Sequence, residues 1–94
     1  MKTHTRVVVI GGGALGVGLL YYLAKEGWSD SVLIEKGELT SGSTWHAAGL
    51  IPHFIGGLSM AKVHHTGSEL YKQLEDETGQ ATGWHGCGAI RLGL

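Results

Sequence analysis

The 94-residue sequence carries 17 glycines, 43% hydrophobic and 16% charged residues, and a formal net charge of −1. This composition describes a globular chain with a core, not a disordered tail, and the near-neutral balance gives no general electrostatic reason to propose nucleic acid or an anionic membrane as partner. The glycines follow no three-residue period, which sets collagen aside, and the lone cysteine, Cys87, rules out an internal disulfide and favours a reducing compartment.

From Val7 to Ala24 the chain is uncharged, but five glycines interrupt the run (11, 12, 13, 16 and 18) and no small-residue cleavage site follows. A strand, a tight turn and a buried helix account for it better than a signal peptide or a membrane span. Arg6 to Ile10 is a β-branched run ended by Gly11, the pattern of a strand buried on both faces of a parallel sheet. Ala14 to Glu26 predicts a helix, apolar nearly all round, with Gly27 as its C-terminal stop. Ser31 to Glu35 predicts a second strand, and strand, helix and strand within about 30 residues make a right-handed βαβ unit with parallel strands.

Residues 36–57 are broken by glycine, serine, threonine and proline and predict an ordered loop with one helical turn. Between Ser59 and Thr78 the positions Met60, Val63, Gly67, Leu70, Tyr71 and Leu74 recur every three or four residues, which predicts an amphipathic helix stopped by Gly79. Cys87 to Leu92 reads as a strand. The fold class is therefore α/β: a Rossmann-type βαβ unit at the N-terminus, then a loop, an amphipathic helix and the start of a further strand.

Gly11, Gly13 and Gly16 satisfy the G-x-G-x-x-G spacing between the first strand and its helix. Gly11 permits the sharp turn, Gly13 removes a Cβ that would block a pyrophosphate, and Gly16 lets the helix approach the sheet. The amide groups and positive end of the helix that opens at Ala14 and Leu15 then face the phosphates. Glu35 falls about 20 residues further on, at the end of the second strand, where a carboxylate accepts adenosine ribose hydroxyls and repels a 2′-phosphate. These features fit NAD and FAD equally, because both present adenosine diphosphate.

The run Leu33-Ile34-Glu35-Lys36, followed by Glu38-Leu39-Thr40-Ser41-Gly42-Ser43-Thr44-Trp45-His46-Ala47-Ala48-Gly49-Leu50, resembles the dimethylglycine and sarcosine dehydrogenase family within the glycine/D-amino-acid-oxidase-like flavoproteins. The similarity continues through Leu70 to Gln80 and through Gly83-Trp84-His85 and Ile90-Arg91-Leu92, nearly the whole chain. The resemblance implies FAD as cofactor and a covalent bond from His46 to the 8α-methyl of the flavin; packing beside the ring or bonding a loop carbonyl is the alternative role for His46. Lys36, Ser43 and Thr44 join Gly11, Gly13, Ala14, Leu15, Gly16 and Glu35 as cofactor contacts, although loop serines and threonines more often cap a turn.

The reaction so implied is oxidation of an N-methyl or secondary amine such as dimethylglycine or sarcosine by hydride transfer to flavin, with an electron-acceptor flavoprotein or oxygen as the final partner. Residues 1–57 would form the dinucleotide-binding unit and flavin loop, and 58–94 the helix and first strand of an incomplete substrate domain. Family enzymes are several times longer, so this stretch is expected to be inactive alone, and no catalytic residue is assigned within it. Rival assignments are an NAD-dependent dehydrogenase domain and a non-catalytic flavin-binding regulatory subunit, the latter because the family also includes a pyruvate dehydrogenase phosphatase regulatory protein.

The histidines at 4, 46, 53, 64, 65 and 85 show no C-x-x-C, H-x-x-x-H or H-E-x-x-H spacing, and no metal site is expected. Cys87 is expected to be an inert thiol. With its first strand almost at residue 1, the chain is expected in the cytoplasm of a bacterium in preference to a mitochondrial matrix.

Overall fold

The computed structural model describes residues 3–52 and 55–93. It holds four elements: β1 (Val7–Ile10), α1 (Ala14–Lys25), β2 (Ser31–Ile34) and α2 (Leu58–Thr78). They fall into two compact units, Met1–Ala48 and Gly49–Leu94.

In the first unit β1 and β2 pair in parallel, with Val7 opposite Ser31 and Ile10 opposite Ile34. Both strands are short and β-rich, and α1 is the crossover that a parallel connection requires. The strands start together because the Asp30 carbonyl accepts from the Thr5 hydroxyl at 2.9 Å and from the Arg6 amide at 3.1 Å. The Arg6 guanidinium also lies 4.1 Å from the centre of the Trp28 ring, a cation–π contact at the same end of the sheet. Arg6 and Glu35, expected inside the strands, flank them instead.

At the C-terminus of α1, Glu26 is the cap and Gly27 takes φ 88°. The Gly27 amide bonds the Ala24 carbonyl at 3.1 Å and the Trp28 amide bonds Leu23 at 2.8 Å, the paired bonds of a Schellman motif. A side chain at Gly27 would strain that left-handed turn, which is why the helix stops there.

Burial corrects one expectation. β1 is covered on one face only: Val9 is buried, whereas Val8 is 50% and Ile10 85% exposed. Side chains alternate along a strand, and among the described residues of the first unit α1 lies against the face that carries Val9, with Val8 and Ile10 on the face it leaves uncovered. α1 likewise buries none of its residues fully.

Beyond β2, the chain makes successive tight turns: the amides of Ser41, Trp45, His46 and Ala47 bond the carbonyls three residues earlier. In the second unit α2 begins one residue before the predicted start and ends at Gly79, whose φ of 72° and amide bond to Glu75 at 2.9 Å close the last turn. The predicted face is inward in part: Gly67, Leu70 and Leu74 are half-buried beside Ser68, the buried residue of α2, while Met60 and Val63 are 50% and 62% exposed. Ser68 satisfies its hydroxyl on the His64 carbonyl at 2.9 Å. His64 in turn bonds the Pro52 carbonyl at 3.1 Å, and Tyr71 stacks parallel to Trp84 with centroids 6.0 Å apart.

The strand expected from Cys87 to Leu92 does not form; among the described residues 80–93 there is no regular element. Ile90 and Leu92 are 93% and 91% exposed. A strand exists only through its hydrogen-bonded neighbour, and among the described residues β1 and β2 form the only paired strands. Among the described residues no helix is long and apolar enough to cross a membrane.

Candidate dinucleotide-binding site

The site is built where β1 gives way to α1. Gly11 donates to the Ile34 carbonyl at 2.8 Å, extending the sheet by one bond, and its φ of 110° then turns the chain out of the strand. Only glycine adopts that conformation readily. Gly16 sits directly above the turn: a Cβ there would collide with the Gly11 carbonyl oxygen and lie 3.5 Å from Val9 Cγ1. The first turn of α1 therefore rests on the glycine backbone, as the spacing predicts.

Gly13 is the N-cap, in extended conformation and without a side-chain cap of its own. The cap comes from 30 residues away: Thr44 Oγ1 accepts from the Ala14 amide at 2.8 Å, and a Cβ on Gly13 would stand 3.0 Å from the same oxygen. The amides of Leu15 and Gly16 precede the first intrahelical bond, from Val17 to the Gly13 carbonyl at 3.0 Å, and belong to the positive end of the helix. The Leu15 side chain is 91% exposed and contributes only its backbone.

Glu35 reaches back across the turn. Its Oε2 accepts from the Gly12 amide at 2.6 Å and its Oε1 from the Gly37 amide at 2.9 Å. Those two N–H groups, Gly37 first and Gly12 second, hold its carboxyl below the ordinary value of 4.5, and the Lys36 charge acts in the same direction. The anion keeps free lone pairs for further donors. Lys36 itself is exposed, and no bond from its side chain to the glycine turn is recorded.

The turn that follows carries the remaining candidates. Thr40 adopts φ 68° and donates its amide to the Gly12 carbonyl at 2.9 Å, which ties the turn to the glycines. Ser43 gives its carbonyl to the His46 amide at 3.1 Å, and its side chain is exposed. His46 Nδ1 bonds the Gly42 carbonyl at 2.8 Å. A carbonyl only accepts, so the proton is on Nδ1, and in the neutral ring the Nε2 lone pair is free. The structure thus unites Gly11, Gly13, Ala14, Gly16, Glu35 and Thr44, while Ser43 and Lys36 stay outside that cluster.

Gly12 was missed by sequence reasoning, which gave roles only to the three spaced glycines. A Cβ at Gly12 would fall 2.6 Å from Leu39 Cδ2 and 3.2 Å from both Glu35 Cβ and Oε2. The consecutive glycines were a visible signal, but the crowding at Gly12 arises from residues more than 20 positions away. Among the described residues no group of three or more His, Cys, Asp or Glu side chains could hold a metal ion; His53, weighed with the other histidines, lies outside the described residues. Cys87 is free and exposed.

A parallel βαβ unit with a glycine turn, a helix start whose N-cap is a glycine and an ionised acid after the second strand defines a dinucleotide-binding protein. The chain belongs to the FAD-dependent oxidoreductase family, whose model matches residues 6–94. It is 54% identical over 91 residues to human mitochondrial dimethylglycine dehydrogenase, covering 97% of this chain and 10% of that protein. It is 49% identical over 85 residues to human mitochondrial sarcosine dehydrogenase (89% and 9%). Against 4-methylaminobutanoate oxidase (formaldehyde-forming) of Paenarthrobacter nicotinovorans the identity is 38% over 92 residues (98% and 11%). The chain spans about a tenth of the length of these curated relatives.

Membership of this family implies FAD, and the residues present fit its adenosine diphosphate portion: a side-chain-free turn from Gly11 to Gly13, the helix-end amides of Leu15 and Gly16, and a carboxylate held ionised beside them. The expectation of a bacterial cytoplasm is corrected by the mammalian dimethylglycine and sarcosine dehydrogenases, which are mitochondrial and point to that compartment. A transit peptide is removed and takes no part in the fold, so a strand lying near residue 1 carried no information about location.

Proposed function

We propose that this chain is the N-terminal FAD-binding part of an enzyme that oxidises N-methyl or secondary amines of the dimethylglycine or sarcosine type. The observation that carries the nucleotide half of the proposal is the Glu35 carboxylate, fixed by two backbone amides beside the Gly11–Gly16 turn. Glu35 accepts the ribose hydroxyls, and the first-turn amides of α1 meet the diphosphate. Residues 1–57 hold the nucleotide and the flavin loop, and 58–94 open the substrate-binding part. The amine substrate rests on the names of the relatives, all three of which act on N-methylated or related amines by those names.

When bound, FAD supplies a two-electron acceptor for a C–H bond next to nitrogen. His46 is the residue for covalent attachment. Its Nδ1–H is engaged by Gly42, which orients the ring and leaves Nε2 as the nucleophile. Residues 1–94 alone are expected to show no turnover.

The test is to purify the full-length protein, precipitate it with acid, and follow flavin fluorescence in the pellet, together with dye reduction by dimethylglycine and sarcosine. Fluorescence that stays with the protein, and is lost in His46→Ala, supports the attachment. A protein that binds flavin yet reduces no dye with any N-methyl amine would overturn the substrate assignment.

A further inference from the structure

We propose that Gly12 is a positioning residue for adenosine recognition: its amide orients Glu35 for the ribose, and a side chain at this position would press on that carboxylate. Three observations meet at this residue. Its amide donates to Glu35 Oε2 at 2.6 Å, the shortest hydrogen bond that Glu35 makes. Its carbonyl accepts from Thr40 at 2.9 Å, and Thr40 pays for that contact with a φ of 68°, a conformation rare for a β-branched residue. Its α-carbon faces Leu39 and Glu35 so closely that a Cβ would stand 2.6 Å from Leu39 Cδ2 and 3.2 Å from Glu35 Cβ.

Each contact has a separate consequence. The amide bond fixes one carboxylate oxygen while Gly37 fixes the other, so the plane of the carboxylate is set before any ligand arrives and little rotamer entropy is lost on binding. The carbonyl bond holds the backbone of Leu39 and Thr40 over the turn, which brings the Leu39 side chain against Gly12. Gly12 never touches the reacting atoms; it acts through Glu35.

The inference rests on Glu35 taking the ribose, and one experiment separates the two. The full chain, prepared free of flavin so that the nucleotide site is open, is titrated calorimetrically with ADP and with 2′-deoxy-ADP. A hydroxyl donated to a carboxylate predicts that the unaltered protein prefers ADP by about tenfold or more. Absence of that preference would sink the ribose assignment and the inference with it. Gly12→Ala is expected to bring the two affinities within about threefold of each other, because the added methyl displaces Glu35, whereas general loosening of the fold weakens both nucleotides equally and preserves the ratio. Gly12→Ala combined with Leu39→Ala removes the harder collision and is expected to recover most of the preference for ADP; it also decides the matter if the single variant does not fold. A Gly12→Ala protein with the original ratio, or a folded double variant that fails to recover it, overturns the proposal while leaving the Glu35 assignment standing.

Discussion

Two glycines in one helix should respond to alanine with opposite sign. Gly16 and Gly18 both lie in α1, so replacing either with alanine gains helix propensity of about 1 kcal/mol. At Gly18 nothing lies within 4 Å of the added methyl and the gain is realised. At Gly16 the methyl strikes the Gly11 carbonyl, whose carbon is only 3.0 Å away. Backbone cannot rotate aside as a side chain does, so the cost sits at the upper end of overpacking, about 3 kcal/mol. The net effect is a loss of about 2 kcal/mol for Gly16→Ala against a gain of about 1 for Gly18→Ala. At about 4–8 °C per kcal/mol for a chain of this size, Tm should fall by about 8–16 °C in the first and rise by about 4–8 °C in the second. Thermal unfolding followed by circular dichroism, with flavin present and absent, measures both. Two shifts of the same sign would refute the close contact between the helix and the glycine turn.

Glu35 supplies the pH dependence. Its carboxyl is held below 4.5 by the Gly37 and Gly12 amides, so the interactions of its anion are complete above the unfolded value and are lost as pH falls through the lower folded value. The preference for ADP over 2′-deoxy-ADP, in which the titration of the shared diphosphate cancels, should therefore persist through pH 4.5 and decline only below it; a midpoint at or above 4.5 by calorimetric titration contradicts the bonding seen at Gly12 and Gly37. Glu35→Gln, which removes the charge and turns an NH2 donor toward either the Gly12 or the Gly37 amide, should weaken ADP by about tenfold in the same titration and lower Tm as well. Thr44→Val removes the hydroxyl that caps the Ala14 amide and should cost about 1 kcal/mol, readable in urea unfolding; an unaltered midpoint would mean that the contact across 30 residues does not cap α1.

The βαβ unit was legible because its signals are local. A β-branched run, a glycine turn and an apolar helix each declare themselves within a few residues, and the structure moves their ends by a single residue at Arg6, Glu26 and Glu35. What failed were statements that depend on partners distant in the chain. An apolar run reads as a buried strand whether or not a second layer covers it, so the exposure of Val8 and Ile10 was invisible. The run from Cys87 to Leu92 has strand-like composition, yet pairing is a property of two segments, and among the described residues this run pairs with none. In α2 the apolar periodicity marked the helix and the inward positions Gly67, Leu70 and Leu74, but not the exposure of Met60 and Val63 or the burial of Ser68, whose hydroxyl is satisfied within its own helix.

The same division runs through the site. Gly11, Gly13 and Gly16 carry a spacing that encodes their roles, since each acts on backbone within the same turn. Gly12 and Thr44 carry none, because each acts on a residue more than 20 positions away, Gly12 on Glu35 and Thr44 on Ala14. Those two contacts, with the bond from Thr40 to the Gly12 carbonyl, bind the turn that carries His46 to the turn that carries the nucleotide signature. A substitution in either turn therefore disturbs the other. Adenosine recognition and the placing of His46 are, on this geometry, properties of one hydrogen-bonded structure, which is why a loop without regular secondary structure can hold a fixed conformation between β2 and the second unit.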